Sequence, residues 1–489
     1  MQERNVDIAI IGAGTAGLGA YNAAREYTDS VVLIEGGPHG TTCARVGCMP
    51  SKLLIAAADA AHHARHTTPF GIRIEGDVQI DGRAVLERVR RERDRFVAGV
   101  LQSVEGIPAG DKLKGHARFE APRSLRVDDH TRVTAERIVI ATGSRATYPD
   151  FLRAAGDRLV INDDVFEWES LPESVAVFGP GVIGLELAQA LHRLGVRLRV
   201  FGVGGALGPL SDERVRDYAD SALNEEFYVD PDATIEEIER HGDSVAVTFV
   251  ERDSGERLTE HFDYLLAATG RQPNVDRLGL EHAGLALNDR GIPVFGHYNL
   301  QCQNADESPS HIFIAGDANS ELPLLHEASD EGRIAGENAG RFPQIRTGVR
   351  RAPLSVVFSD PQIAIVGLGY AGLESHHGGC GCMAIGEASF EDQGRARVMR
   401  VNKGVMRVYA QHGSGLFLGA EIFGPQAEHL AHLLAWSLQQ GMTVTQMLAM
   451  PYYHPVIEEG VRTALRNLNA SLQFGSAIRE RCMEHGPGD

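Results

Sequence analysis

Apolar residues fall in short runs, separated by glycine turns and by stretches of helical periodicity. The opening run, Val6 to Ile11, reads Val-Asp-Ile-Ala-Ile-Ile, the composition of a buried strand. Gly12-Ala13-Gly14-Thr15-Ala16-Gly17 follows, then a helical stretch from Leu18 to Tyr27, then a strand from Ser30 to Ile34 that ends at Glu35. The order returns later in the chain. Val175 to Phe178 reads as a strand, Gly179-Pro180-Gly181-Val182-Ile183-Gly184 as the turn, Leu185 to Leu194 as a helix and Val196 to Phe201 as the next strand. Each half is echoed by a later strand ending in a turn, Ile138 to Gly143 and Leu265 to Gly270. A third such strand, Ile312 to Ala315, runs into Gly316-Asp317. From about Pro353 the pattern changes to mixed strands and helices without a glycine fingerprint.

Strand, spaced glycines, helix and a placed acid together form a dinucleotide-binding fingerprint. The glycines permit a tight turn and let backbone approach a pyrophosphate. The helix N-terminus adds N–H groups and positive dipole charge. Glu35, ending the second strand, is positioned for a ribose hydroxyl pair. The expected fold is therefore α/β, with two doubly wound, Rossmann-like dinucleotide-binding domains and a C-terminal α+β domain. The expected limits are 1–155 for the first part of one nucleotide domain and 156–274 for the other. Residues 275–350 return to the first or central domain, 351–475 form the last domain, and 476–489 are a tail. The two fingerprints differ at one point: Gly202 stands where the second acid is expected. No cation follows in Val203 to Gly208. Arg197 and Arg199 lie inside the strand, on one face.

The chain has 489 residues, or about three domains at roughly 150 residues each. Lys and Arg number 47 against 66 Asp and Glu, a formal net charge of -19. That balance argues against nucleic acid and anionic membranes as partners. Apolar runs fall far short of the ~20 residues of a membrane span, and the N-terminal residues carry no apolar signal core. Six Cys in this length are too few for a secreted disulfide scaffold. The expectation is a cytoplasmic protein.

Thr41 to Lys52 reads Thr-Thr-Cys-Ala-Arg-Val-Gly-Cys-Met-Pro-Ser-Lys. On a regular helix Cys43 and Cys48 would have Cα atoms about 8–9 Å apart, beyond the ~7 Å a disulfide allows. If they bond, the backbone between them is distorted, and Gly47 is placed to allow it. Two separate buried thiols are the alternative.

The run around Cys43 and Cys48 resembles the redox motif of the class I pyridine nucleotide–disulfide oxidoreductases, flavoproteins that include dihydrolipoamide dehydrogenase. The resemblance extends over nearly the whole chain. It implies FAD at Gly12, Gly14, Gly17, Glu35 and Gly143, with Asp317 on the ribityl chain. It implies NAD, with NADP left open, at Gly179, Gly181, Gly184 and Gly270. Cys43 is then the thiol that exchanges with substrate, and Cys48 the thiolate facing the flavin. Lys52 contacts the flavin and pairs with Glu186, which meets the nicotinamide. In Tyr453-His454-Pro455-Val456-Ile457-Glu458-Glu459, His454 and Glu459 form the acid–base pair. The last domain becomes a dimerisation domain, and His454 serves the Cys pair of the other subunit.

The activity so implied is oxidation of a small dithiol, dihydrolipoamide first, with NAD+. A lipoyl group carried on an acyltransferase is one candidate partner. An NADPH-dependent reductase of glutathione or another small disulfide is the alternative. A catalytically idle binding flavoprotein is the alternative of another class. Tyr452 and Tyr453 depart from the small residue and second His that usually precede the His-Pro pair of the dehydrogenases. His376, His377, Cys380 and Cys382 offer soft ligands, but their spacing favours a surface turn over a metal site. Cys302 and Cys482 are bystanders on this reading. Cys482 alone also lacks the C-terminal vicinal pair of mercuric reductases.

Overall fold

The computed structural model describes residues 1–376 and 381–472. Two compact units emerge. The first comprises residues 1–53, 86–147 and 270–350. Its sheet begins with β1 (Gln2–Ile11), which leads through helix α1 (Thr15–Ala24) to β2 (Val31–Glu35). Pairing is parallel, from Ile8 opposite Val31 to Ile11 opposite Ile34. Thr131–Ile140 lies on the other side of β1, and Pro309–Ile314 beyond it, both parallel. Lys112–Lys114 extends the β2 edge.

Residues alternate across β1 as period two requires. Ala9 and Ile11 join the core on one face, Ile8 and Ile10 that on the other. A parallel sheet covered on both faces explains why Ile8 to Ile11 is an unbroken apolar run. Helix α1 packs on the second face with Leu325–Arg341. It starts three residues before, and ends three residues before, the stretch expected from the sequence. The helix begins directly at the glycine turn, and Arg25 closes it.

The second unit comprises residues 54–85, 148–269 and the chain from 351 onward. It repeats the parallel arrangement in the order Val229–Asp230, Arg197–Phe201, Ser174–Phe178, Tyr264–Ala267, Leu159–Ile161. A three-stranded antiparallel meander, Thr234–His241, Ser244–Val250 and Arg257–Phe262, shares its core. The rings of Phe178, Phe201 and Phe249 join there, with centroids 5.3 Å and 4.9 Å apart in sequence.

The C-terminal part is α+β, as the pattern change near Pro353 implies. Its antiparallel sheet runs Leu354–Val357, Gln362–Gly367, Phe417–Gly424, Val405–Gln411, Met383–Ser389. Helices Ala427–Gln439 and Glu459–Ser471 pack on it. Among the described residues, no helix is long and apolar enough to cross a membrane.

Candidate active site

The two glycine turns are built alike. Gly12 and Gly179 adopt left-handed φ values of 106° and 103°. A Cβ at either would strike a carbonyl oxygen, that of Ala141 or of Ala268. A Cβ at Gly17 would be driven into the Gly12 carbonyl, and one at Gly184 into that of Gly179. The outer glycines therefore serve close packing of turn, helix and sheet. Gly14 and Gly181 differ: nothing lies within 4 Å of a Cβ there. Each faces open space at a helix N-terminus, where a pyrophosphate would meet unpaired N–H groups.

In the first unit the turn opens into a cavity of about 430 Å³. Gly12, Gly14, Glu35, Thr42, Gly143 and Arg145 are among its walls. Glu35 is fixed by backbone: Oε2 accepts from Ala13 N and Oε1 from Gly37 N, both at 2.7 Å. Asp317 sits in the short turn Gly316–Asn319 and accepts from Ser144 Oγ at 2.6 Å. Arg271 Nε donates to the same hydroxyl at 2.8 Å. Buried Glu331 holds that turn, accepting from Gly316 N and Asn319 Nδ2 at 2.7 Å each, and pairs with Arg350 at 2.8 Å. The sequence reading missed Ser144, Arg271 and Glu331. The first two immediately follow the two Ala-Thr-Gly echoes, and the strands Ser144–Ala146 and Arg271–Pro273 pair antiparallel.

Cys43 and Cys48 are brought together. Helix α2 (Thr42–Arg45) stops at Val46, and α3 (Cys48–Arg65) starts afresh after Gly47. The break supplies the distortion that a continuous helix forbids. Gly47 contributes through space rather than unusual φ: a Cβ there would sit 3.1 Å from Thr42 O and 3.2 Å from Cys43 Cα. No disulfide joins Cys43 and Cys48 in this structure, and their side chains are hydrogen-bonded. That bond to Cys48, together with burial, pushes the Cys43 thiol well above its ordinary pKa. Cys48 is exposed at the first position of α3, where the helix dipole favours a thiolate. Thr41, Thr42 and Arg45, which flank Cys43, line the cavity.

Lys52 is half-buried on α3. Glu186 is not an exposed helix charge: it is 3% exposed, and Oε1 accepts from Phe358 N at 3.0 Å. His454 lies before a cis peptide to Pro455, and its Nδ1 is 3.0 Å from Glu459 Oε2. The hydrogen bond to His454 holds the Glu459 carboxyl below its usual range. Tyr453 is exposed, and Tyr452 is half-buried with its hydroxyl donating to Met447 O at 3.3 Å.

Cys302 is fully buried in the first unit's core, and burial raises its thiol pKa. Cys382 is disulfide-bonded, which removes it as a thiolate ligand. His376 is described and exposed, while His377, Cys380 and Cys482 lie outside the described residues. No group of potential ligands that could hold a metal occurs among the described residues.

Residues 6–332 match the family described as pyridine nucleotide-disulphide oxidoreductase, and residues 354–465 match its dimerisation domain. The chain belongs to the pyridine nucleotide-disulphide oxidoreductases. It is 31% identical over 480 residues to a dihydrolipoyl dehydrogenase of Bacillus subtilis, covering 96% of this chain and 97% of the relative. It is 30% identical over 483 residues to a mercuric reductase of Shigella flexneri, covering 95% and 81%. Among solved structures, the HOCl-induced flavoprotein disulfide reductase RclA from Escherichia coli superposes with a TM-score of 0.76 at 22% identity, over 95% of this chain and 99% of that one.

Membership makes this oxidoreductase a disulfide-handling enzyme that uses FAD and NAD(P). The residues present fit both groups. The open faces of Gly14 and Gly181 leave room for pyrophosphates, and Glu35 lines the cavity at the first turn. The match of residues 354–465 supports a homodimer.

Proposed function

We propose that this oxidoreductase oxidises a small dithiol of the dihydrolipoamide kind with NAD+, using Cys43 and Cys48 as its redox pair. The observation that carries the reading is the broken helix, which sets two hydrogen-bonded thiols beside the first nucleotide cavity. FAD, when bound, supplies two-electron transfer between the cysteine pair and the nicotinamide. Gly12, Gly14, Gly17, Glu35, Gly143, Lys52 and Asp317 hold it. Gly179, Gly181, Gly184, Glu186 and Gly270 serve the nicotinamide nucleotide.

The protein's own steps are thiol chemistry. His454 of the partner subunit takes the proton of the incoming substrate thiol. The resulting thiolate attacks Cys43 Sγ, the Cys43–Cys48 bond breaks, and Cys48 leaves as a thiolate. The second substrate thiol then attacks the mixed disulfide and releases the substrate as a disulfide. Cys43 departs and takes up the second thiol's proton, the first proton leaves His454 for solvent, and two electrons remain on the pair. The raised pKa of the Cys43 thiol supports its role as the protonated member of the reduced pair. Glu459 orients the imidazole through Nδ1. The scarcity of cysteine and the labile pair fit a reducing cytoplasm.

The second reading, an NADPH-driven reductase of glutathione or another small disulfide, starts from Gly202, which itself carries no carboxylate to repel a 2′-phosphate. The test is turnover of purified, FAD-loaded homodimer with dihydrolipoamide and NAD+ against glutathione disulfide and NADPH. The proposal expects kcat/KM for the first pair to exceed the second at least tenfold. His454→Gln should lower dithiol oxidation by on the order of 10²–10⁴ without FAD loss. A higher rate with glutathione disulfide and NADPH, or a His454→Gln enzyme within a few-fold of wild type, would contradict it.

A further inference from the structure

The strand Arg197–Phe201 ends where the ribose carboxylate of a nucleotide domain belongs. Gly202 occupies the point, and no side chain fits there. A Cβ would sit 2.5 Å from Pro231 O and 2.7 Å from the Pro180 ring. Gly202 and Glu35 are counterparts, each 23 residues beyond the first glycine of its fingerprint. The repeat therefore allows a direct structural comparison.

In the first domain the Glu35 carboxylate accepts from the N–H of Gly37, two residues past the strand end, at 2.7 Å. In the second domain the N–H two residues past the strand end belongs to Gly204. It donates to Asp232 Oδ1, also at 2.7 Å. Asp232 lies two residues past the end of the neighbouring strand. Val229–Asp230 pairs in parallel with Val200 and Phe201, and its exit runs along the glycine turn. Gly202 N donates to Asp230 O at 2.7 Å and Gly205 N to Pro231 O at 3.1 Å. Asp232 is exposed.

We infer that Asp232 takes over the missing ribose carboxylate and makes the second site select NAD over NADP. Its free carboxylate oxygen accepts from the adenosine ribose 2′-OH and repels a 2′-phosphate. The cations nearby are already engaged. Arg197 Nη1 and Arg199 Nε both bind Glu260, at 3.0 Å and 2.7 Å. Their guanidinium groups also lie over Phe262 and Tyr228. Arg252 makes a two-point pair with Asp220, at 3.0 Å and 2.9 Å. Asp230 adds a second, buried carboxyl beneath the turn. A 2′-phosphate would therefore meet carboxylate, with Arg197, Arg199 and Arg252 each held by an acid.

The inference rests on the second fingerprint being the nicotinamide-nucleotide site. Its test is equilibrium binding of NAD+ and NADP+ to the FAD-loaded homodimer by calorimetry, with wild type, Asp232→Asn and Asp232→Ser. The serine keeps a short acceptor for Gly204 N without the charge, so it separates turn geometry from electrostatics. Wild type should favour NAD+. Both variants should shift the NAD+/NADP+ affinity ratio toward NADP+ by on the order of tenfold, as expected for removing one exposed charge near a phosphate. A ratio within twofold of wild type in both variants, with both nucleotides binding, overturns the role of Asp232 alone. Wild type that favours NADP+ does the same. Failure of wild type to bind either nucleotide overturns the site reading and the inference with it.

Discussion

The two glycine turns make nearly the same backbone from different surroundings. Gly12 and Gly179 share a φ near 105°, Gly17 and Gly184 press on the preceding turn, and Gly14 and Gly181 face open space. The turns part company one strand later. Glu35 serves its own turn from its own strand, whereas Gly202 leaves that place to Asp232, two residues past the neighbouring strand. The phosphate cradle is thus a local property, fixed by a few residues within one loop. The ribose chemistry is a tertiary property, supplied by whichever strand lies alongside.

The strongest way to break this comparison is to fill the packing glycines. Gly17→Ala and Gly184→Ala each push a methyl into a carbonyl oxygen. Overpacking of this kind typically costs about 1–3 kcal/mol and sometimes more. We expect loss of folded protein or a fall in Tm of several degrees in each. Unchanged thermal unfolding in either variant would show that the two turns are not under the same constraint.

A finer test uses the middle glycines, where space is open. Gly14→Val should fold but purify without FAD, while Gly181→Val should keep FAD and lose nicotinamide-nucleotide affinity. Visible absorbance and nucleotide titration would read the two losses separately. If both variants lose FAD, or neither loses its nucleotide, the assignment of the two turns fails.

The smallest expected effect concerns Glu260. Glu260→Gln removes the partner of Arg197 and Arg199. Arg197 is exposed while Arg199 and Glu260 are half-buried, and ion pairs this near the surface contribute little, so NADP+ affinity should change by no more than about threefold. A gain above roughly a hundredfold, about 2.7 kcal/mol, would mean that these arginines read the 2′-phosphate.

Much of this was legible in the chain because the deciding residues are close in sequence. The strand–glycine–helix units, the break near Pro353, the Cys43–Cys48 pair and the His454–Glu459 spacing each lie within a single segment. The contacts that escaped are between segments. Ser144 meets Asp317 across 173 positions, and no periodicity reveals such a pair. Asp232 sits in an unremarkable Pro-Asp-Ala stretch, and only strand pairing brings it to Gly204. Residues 54–85 read as a continuation of the first nucleotide domain, yet they pack with the second unit. Gly47 was expected to act through backbone freedom, whereas the structure uses its lack of a side chain against Thr42 and Cys43.

The central claim is that Cys43 and Cys48 pass electrons to the flavin, with Cys48 as the sulfur that carries the charge. It is tested most directly by anaerobic reduction of the FAD-loaded enzyme, followed by visible absorbance. Two-electron reduction of wild type should produce a long-wavelength thiolate–flavin band. Cys48→Ser should lack the band, and Cys43→Ser should show it before any reductant is added. Indistinguishable titrations of wild type and Cys48→Ser would contradict the account.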